Sequence, residues 1–164
     1  MSGARVASGT GEANVATGVP VLDHLLGKLA EAGRFDLALE VDPDDPEAEV
    51  DAAGSAFGLA LEPLLPEGAH GAGTMPADEA LAMVVIERSG RPLVASNAQL
   101  TGVGGLGSDL AARFLRGLAD AAGLTLHVRL IEGEDTDHVL EAIFKALGVA
   151  LAHAAAPTTA RGAR

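Results

Sequence analysis

The strongest constraint on this chain is that part of it occurs twice. Leu29-Ala-Glu-Ala-Gly-Arg-Phe-Asp-Leu-Ala-Leu39 passes from a helical pattern into an alternating one, and Leu118-Ala-Asp-Ala-Ala-Gly-Leu-Thr-Leu126 does the same. An acidic loop and an alanine-rich helical stretch follow each copy. A duplicated strand–helix–strand–helix unit buries one sheet face under its own helices. Two copies therefore predict an α+β sandwich of two similar halves, each a β-sheet with helices packed on one face. The halves are expected at about residues 4–63 and 78–152 of a single domain, 1–155, with 156–164 a disordered tail.

Local signals place the elements. Residues 4–16 read as a hairpin turning at Ser8-Gly-Thr-Gly. Pro20 suits the first turn of a helix that Gly33 ends, and Phe35–Val41 alternates as a strand. The acidic, proline-broken loop Asp42–Pro46 leads to a small-residue helix over 47–62 closed by Pro63. Residues 64–77 read as a glycine- and proline-rich connection, and 81–88 and 91–97 as two strands joined by a tight Ser89-Gly90 turn. A glycine-rich loop at 102–107 precedes Ser108, an N-cap for a helix ending at Gly123, and Leu124–Leu130 is a strand.

The last helix, from Asp135, carries the densest chemistry. Val139, Leu140, Ile143, Phe144, Leu147 and Leu151 recur at helical spacing and commit one face to the core. On the other face His138, Glu141 and Lys145 form a stripe, with Asp137 and Glu141 as a second pair one turn apart. A nitrogen donor and a carboxylate so spaced can reach one metal ion. They equally describe a solvated face whose acids suit the helix dipole and whose Lys145 pairs with Glu141.

Composition removes several classes of function. Aromatics are only 2%, with no Trp or Tyr, so stacking on bases is nearly closed, and a net charge of -12 would repel a phosphate backbone. No nucleic-acid partner is expected. Cysteine is absent, which excludes disulfides and thiolate metal sites. There is neither a signal-peptide pattern nor an apolar run approaching a membrane span, so no membrane partner and a soluble, cytoplasmic protein are expected.

In order along the chain, Thr17-Gly-Val-Pro-Val-Leu-Asp-His-Leu-Leu, Gly33-x-Phe-Asp-Leu, Pro76-Ala-Asp-Glu-Ala-Leu, Ser89-Gly-Arg-Pro, Leu124-Thr-Leu-His-Val-Arg and His138-Val-Leu-Glu-Ala-Ile-Phe-Lys-Ala stand together. The set resembles imidazoleglycerol-phosphate dehydratase, the manganese lyase of histidine biosynthesis. The resemblance implies a ribosomal-protein-type duplication, a symmetric homo-oligomer with Mn²⁺ between subunits, and imidazoleglycerol phosphate as substrate. It makes His24, Asp51, His138 and Glu141 metal ligands, with Glu47 and Asp137 as weaker ones, and gives Arg91 and Lys145 the substrate phosphate. His127 also matches a family histidine, against a plainer role in the core.

The departures are as specific. Where the family has His-His-x-x-Glu-Asp, this chain has Glu47-Ala-Glu-Val-Asp-Ala52. Arg113 stands for a ligand histidine and Asp137 for the first of the closing pair. The strand carrying the family's catalytic glutamate and an arginine near position 69 have no counterpart. Two outcomes follow: a lyase working through a surviving or carboxylate-rich site, or a non-catalytic paralogue that keeps the fold as an assembly partner. In the second, Arg113 is expected to pair with Asp137 or Glu47.

Overall fold

A computed structural model of the chain describes residues 2–98 and 110–155. The glycine-rich stretch 102–107, Ser108 and the tail 156–164 lie outside these residues. In chain order the elements are β1 (Gly3–Ser8), β2 (Ala13–Ala16), α1 (Pro20–Gly33), β3 (Phe35–Glu40), α2 (Pro46–Leu61), β4 (His70–Ala77), β5 (Ala80–Glu87), β6 (Leu93–Ser96), α3 (Leu110–Ala122), β7 (Thr125–Glu132) and α4 (Thr136–Ala154). A 3-10 turn, Glu62–Leu64, follows α2.

The strands form two sheets, ordered β1-β3-β2 and β4-β5-β7-β6. β1 runs antiparallel and β2 parallel to β3; β5 runs antiparallel and β6 parallel to β7. The second sheet therefore repeats the first and adds β4. Helices α1 and α2 cover the first sheet, α3 and α4 the second, and the two helix layers face each other as the pairs α1–α4 and α2–α3. This is the predicted pair of α+β halves.

Between the layers Phe57, Phe114 and Phe144 are fully buried, with ring centroids 6.2 and 5.6 Å apart. Glycine sets how closely the helices lie. A Cβ on Gly148 would fall 2.2 Å from the Leu29 carbonyl oxygen, and one on Gly58 would fall 2.9 Å from that of Leu118. Side chains at the helix starts are placed by caps: Asp45 accepts from the Ala48 N–H, and Asp135 from the His138 N–H. Before α1, the buried Thr17 donates its hydroxyl to Asp23 at 2.5 Å, and Gly18 turns with φ 89° against the carboxylate of Glu49.

Three expectations are corrected. β1 and β2 are not a paired hairpin, because β3 lies between them. Its Phe35, Leu37 and Leu39 are nearly fully buried, whereas β1 and β2 offer the core only Ala4, Val6 and Val15, so the most apolar strand takes the centre. β5 and β6 are likewise unpaired. Gly90 instead donates to the Gly123 carbonyl and Leu93 to that of Leu124, carrying the chain to the far side of β7. The supposed connection 64–77 contains β4, which pairs with β5 through a turn at Asp78-Glu79. Its glycines look like loop residues but serve packing: a Cβ on Gly71 or Gly73 would sit 2.1 or 2.4 Å from α4 carbonyl oxygens.

Adding a methyl at Gly148 or Gly58 is expected to cost about 1–3 kcal/mol by overpacking, lowering Tm by roughly 2–4 °C for each kcal/mol. Gly27→Ala, with nothing within 4 Å of the new carbon, should leave Tm unchanged or raise it; calorimetry on the three variants checks the contrast. Asp36 accepts from the N–H groups of Thr10 and Glu12, which hold its carboxyl below the ordinary 3.8. That stabilisation is complete above 3.8 and is lost as pH falls through the depressed value. Acid-unfolding curves of Asp36→Ala should accordingly show a shallower pH dependence in that range.

Candidate functional site

Helix α1 presents His24 and Lys28 one turn apart, and both reach Glu141 on α4. His24 Nε2 lies 3.7 Å from Glu141 Oε2, and Lys28 Nζ lies 3.6 Å from Oε1. The short span follows from the glycine contact between these helices. A cavity of about 310 Å³ opens here, lined by His24, Asp137 and Glu141 with Pro20, Val21, Leu25 and Leu140. One imidazole and two carboxylates thus share a pocket with an apolar floor.

The stripe read along α4 is divided by its neighbours. Glu141 faces α1, while His138 and Lys145 face the β4–β5 hairpin. His138 Nδ1 is 2.6 Å from Glu79 Oε1, and its Nε2 is 3.2 Å from Asp78 Oδ2. The hydrogen bond to Glu79, supported by the charges of Asp135, Glu79 and Asp78, raises the imidazole pKa above its ordinary 6.5. Lys145 donates to the Pro76 carbonyl at 2.6 Å, so it does not pair with Glu141 as the plainer reading expected. Glu79 and Lys28 had no role in the sequence reading. The signals were present: an acidic pair at a turn, and a lysine one turn beyond His24.

Across the molecule, Asp51 on α2 and Arg113 on α3 form a two-pronged ion pair. Arg113 donates its Nε–H to Asp51 Oδ1 at 3.1 Å and its Nη2–H to Oδ2. The hydrogen bond with Asp51, then the charges of Asp51, Glu47 and Asp45, raise the guanidinium pKa further. The partner is thus Asp51 rather than Asp137 or Glu47: α3 packs against α2, whereas Asp137 stands in the first turn of α4, which packs against α1. Glu47 is exposed in the first turn of α2.

Arg91 lines a separate cavity of about 770 Å³ with Arg88, Ser89, Gly90, Gly123, Glu62, Glu87 and Asp120. Arg88 is tied to Glu62 at 2.7 Å, while Arg91 is exposed. Its guanidinium has no partner among the described residues. Lys145 does not line this cavity. His127 is exposed on the outer face of β7 and is not a core residue, since the strand's alternation sends Leu126 and Val128 inward.

The imidazoleglycerol-phosphate dehydratase family model matches residues 17–151. The dehydratase of Desulforudis audaxviator is 40% identical over 164 residues, covering 94% of this chain and 83% of that protein. That of Acetivibrio thermocellus is 38% identical over 152 residues, 87% of this chain and 78% of the relative. The solved dehydratase of Staphylococcus aureus superposes with TM-score 0.80 at 33% identity, over 91% of this chain and 90% of that one. The enzyme from Pyrococcus furiosus gives 0.81 at 30%, over 93% and 88%. This chain belongs to the imidazoleglycerol-phosphate dehydratase family.

The family is metal-dependent, so the donors present must be tested for an ion. Atoms sharing one divalent ion lie about 3 Å apart, since bonds of roughly 2.1 Å open at right angles or wider. His24 and Glu141 at 3.7 Å fit that requirement after a small side-chain rotation. Arg113–Asp51 does not, because a guanidinium has no lone pair to give. Among the described residues no three of His, Asp and Glu converge to hold an ion.

Protonated His138 stabilises the α4–hairpin contact below pH 6.5, and that support is lost as pH rises through its raised value. An NMR titration of the imidazole should show the elevated midpoint, and Glu79→Gln should bring it down towards the ordinary one.

Proposed function

We propose that this chain is a metal-dependent carbon–oxygen hydro-lyase that converts imidazoleglycerol phosphate to imidazoleacetol phosphate in histidine biosynthesis, working as a cytoplasmic homo-oligomer. The observation that carries the reading is the meeting of His24 and Glu141 at one cavity with Asp137, in a chain that belongs to the dehydratase family. Among the described residues no helix is long and apolar enough to cross a membrane. His24 and Glu141 would hold one edge of the ion, and the remaining ligands would be supplied by a second subunit; Asp137 lines the same cavity without converging on them. The Glu141 carboxylate suits a hard ion such as Mn²⁺. When bound, the ion supplies Lewis-acid stabilisation and a template for the substrate's imidazole ring.

The other residues bind and orient. The Arg91 guanidinium, exposed and without a partner among the described residues, suits the two oxygens of a phosphate dianion. Lys145 gives one N–H to Pro76 and keeps two for an anion. His138, tied to Asp78 and Glu79, would join the metal only by leaving them.

The alternative is a non-catalytic assembly partner, in which the Arg113–Asp51 pair occupies positions where the family's pattern would put ligands. A turnover assay of the full chain separates the two. With Mn²⁺ present, product should form at a rate that a chelator abolishes; His24→Ala and Glu141→Gln should each lower kcat/KM at least 10²-fold, about the loss typical of a missing catalytic interaction. Arg91→Ala should chiefly raise KM. A folded, metal-treated protein whose rate never exceeds the uncatalysed one would establish the second reading.

A further inference from the structure

The two helix pairs are copies of each other, and their polar ends have diverged in kind. Leu29 and Leu118 accept the same glycine contact, from Gly148 and Gly58, which fixes the correspondence of α1 with α3 and of α4 with α2. Stepping back five residues from Leu29 and Leu118 gives His24 and Arg113. Stepping back seven from Gly148 and Gly58 gives Glu141 and Asp51, and four further gives Asp137 and Glu47. The spatial pairing agrees: His24 meets Glu141 at 3.7 Å, and Arg113 meets Asp51 through two hydrogen bonds.

We propose that the Arg113–Asp51 ion pair stands in for a bound cation at one of two repeat-related positions, so that this chain answers to a divalent ion only at the other, His24–Glu141. The chemistry of the two positions differs in what each lacks. His24 and Glu141 are donors of electron pairs with no fixed cation between them, and Lys28 holds only the second carboxylate oxygen. At the other position the positive charge is covalently part of the chain. A guanidinium carries five N–H donors in a planar fork, matches a carboxylate edge, and keeps its charge at any working pH. Asp51 holds it with two hydrogen bonds, and the negative charges of Glu47 and Asp45 act on it as well. A divalent ion approaching Asp51 would meet that fixed charge and find a carboxylate whose two oxygens are already engaged. The contact between α2 and α3 is thereby independent of metal supply, whereas the contact between α1 and α4 is not.

The His24–Glu141 half of this inference rests on the metal reading proposed above; the Arg113–Asp51 half does not. Hydrogen-exchange mass spectrometry of the full chain, in chelator and then with Mn²⁺, reads the halves separately, and Mn²⁺ titration by calorimetry gives the stoichiometry. Mn²⁺ should slow exchange in α1 and the start of α4 and leave α2 and α3 unchanged, with one class of ion per chain that His24→Ala removes. Arg113→His should add a second class and make α2–α3 exchange metal-sensitive. Asp51→Asn in chelator should speed α2–α3 exchange roughly two- to fivefold, the range for a half-exposed ion pair, which keeps the test open if Arg113→His fails to fold. Mn²⁺ protection of α2–α3 in the unaltered chain, or Asp51→Asn without effect there, would overturn the inference. If no Mn²⁺ binds anywhere, the metal reading of His24–Glu141 fails, and the Asp51→Asn result alone decides whether the ion pair holds its half together.

Discussion

The closeness of α1 to α4 and of α2 to α3 governs everything else in this molecule. Each pair touches where a glycine, Gly148 or Gly58, lies against the carbonyl of a leucine on the partner helix. Larger residues would push the axes apart, and side chains as short as histidine, glutamate and aspartate would no longer meet across the gap. The three adjoining phenylalanines fill the space that remains between the helix layers. Packing and chemistry are thus set by one spacing.

That spacing is used twice with different electrostatic results. In a chain with 23 acids against 11 Lys and Arg, a carboxylate turned toward the facing helix of its pair needs a cation. One pair is neutralised within the chain by Arg113; the other is left with a histidine, a lysine to one side and an open pocket. The asymmetry extends to the sheets. β5 pairs with β4, whereas its counterpart β1 pairs with no further strand among the described residues. Leu59, 64% exposed, corresponds to Val149, which packs against Gly73 of β4. The half with the extra strand is also the half whose helix α4 is clamped by His138 and Lys145 to the hairpin.

The duplication and most helices and strands were legible in the sequence, because repetition, period and caps are local properties. The family was legible from ordered motifs. β4 was not, since its Gly71 and Gly73 carry loop chemistry while answering to the approach of α4. The strand neighbours were not, because Ser8-Gly-Thr-Gly and Ser89-Gly90 allow a tight turn without requiring one, and burying Phe35, Leu37 and Leu39 at the sheet centre outweighed it. His24 and Glu141 were named together from resemblance; that they meet in one chain needed the fold.

The sequence by itself determined that there are two halves and that α4 has a polar face carrying His138, Glu141 and Lys145. Tertiary structure decided the partners: Glu141 with His24 and Lys28, His138 with Asp78 and Glu79, Arg113 with Asp51. Helical period fixes only the direction in which a side chain leaves its own axis. What it meets depends on which element lies within reach, and that is set by packing between segments far apart in the chain.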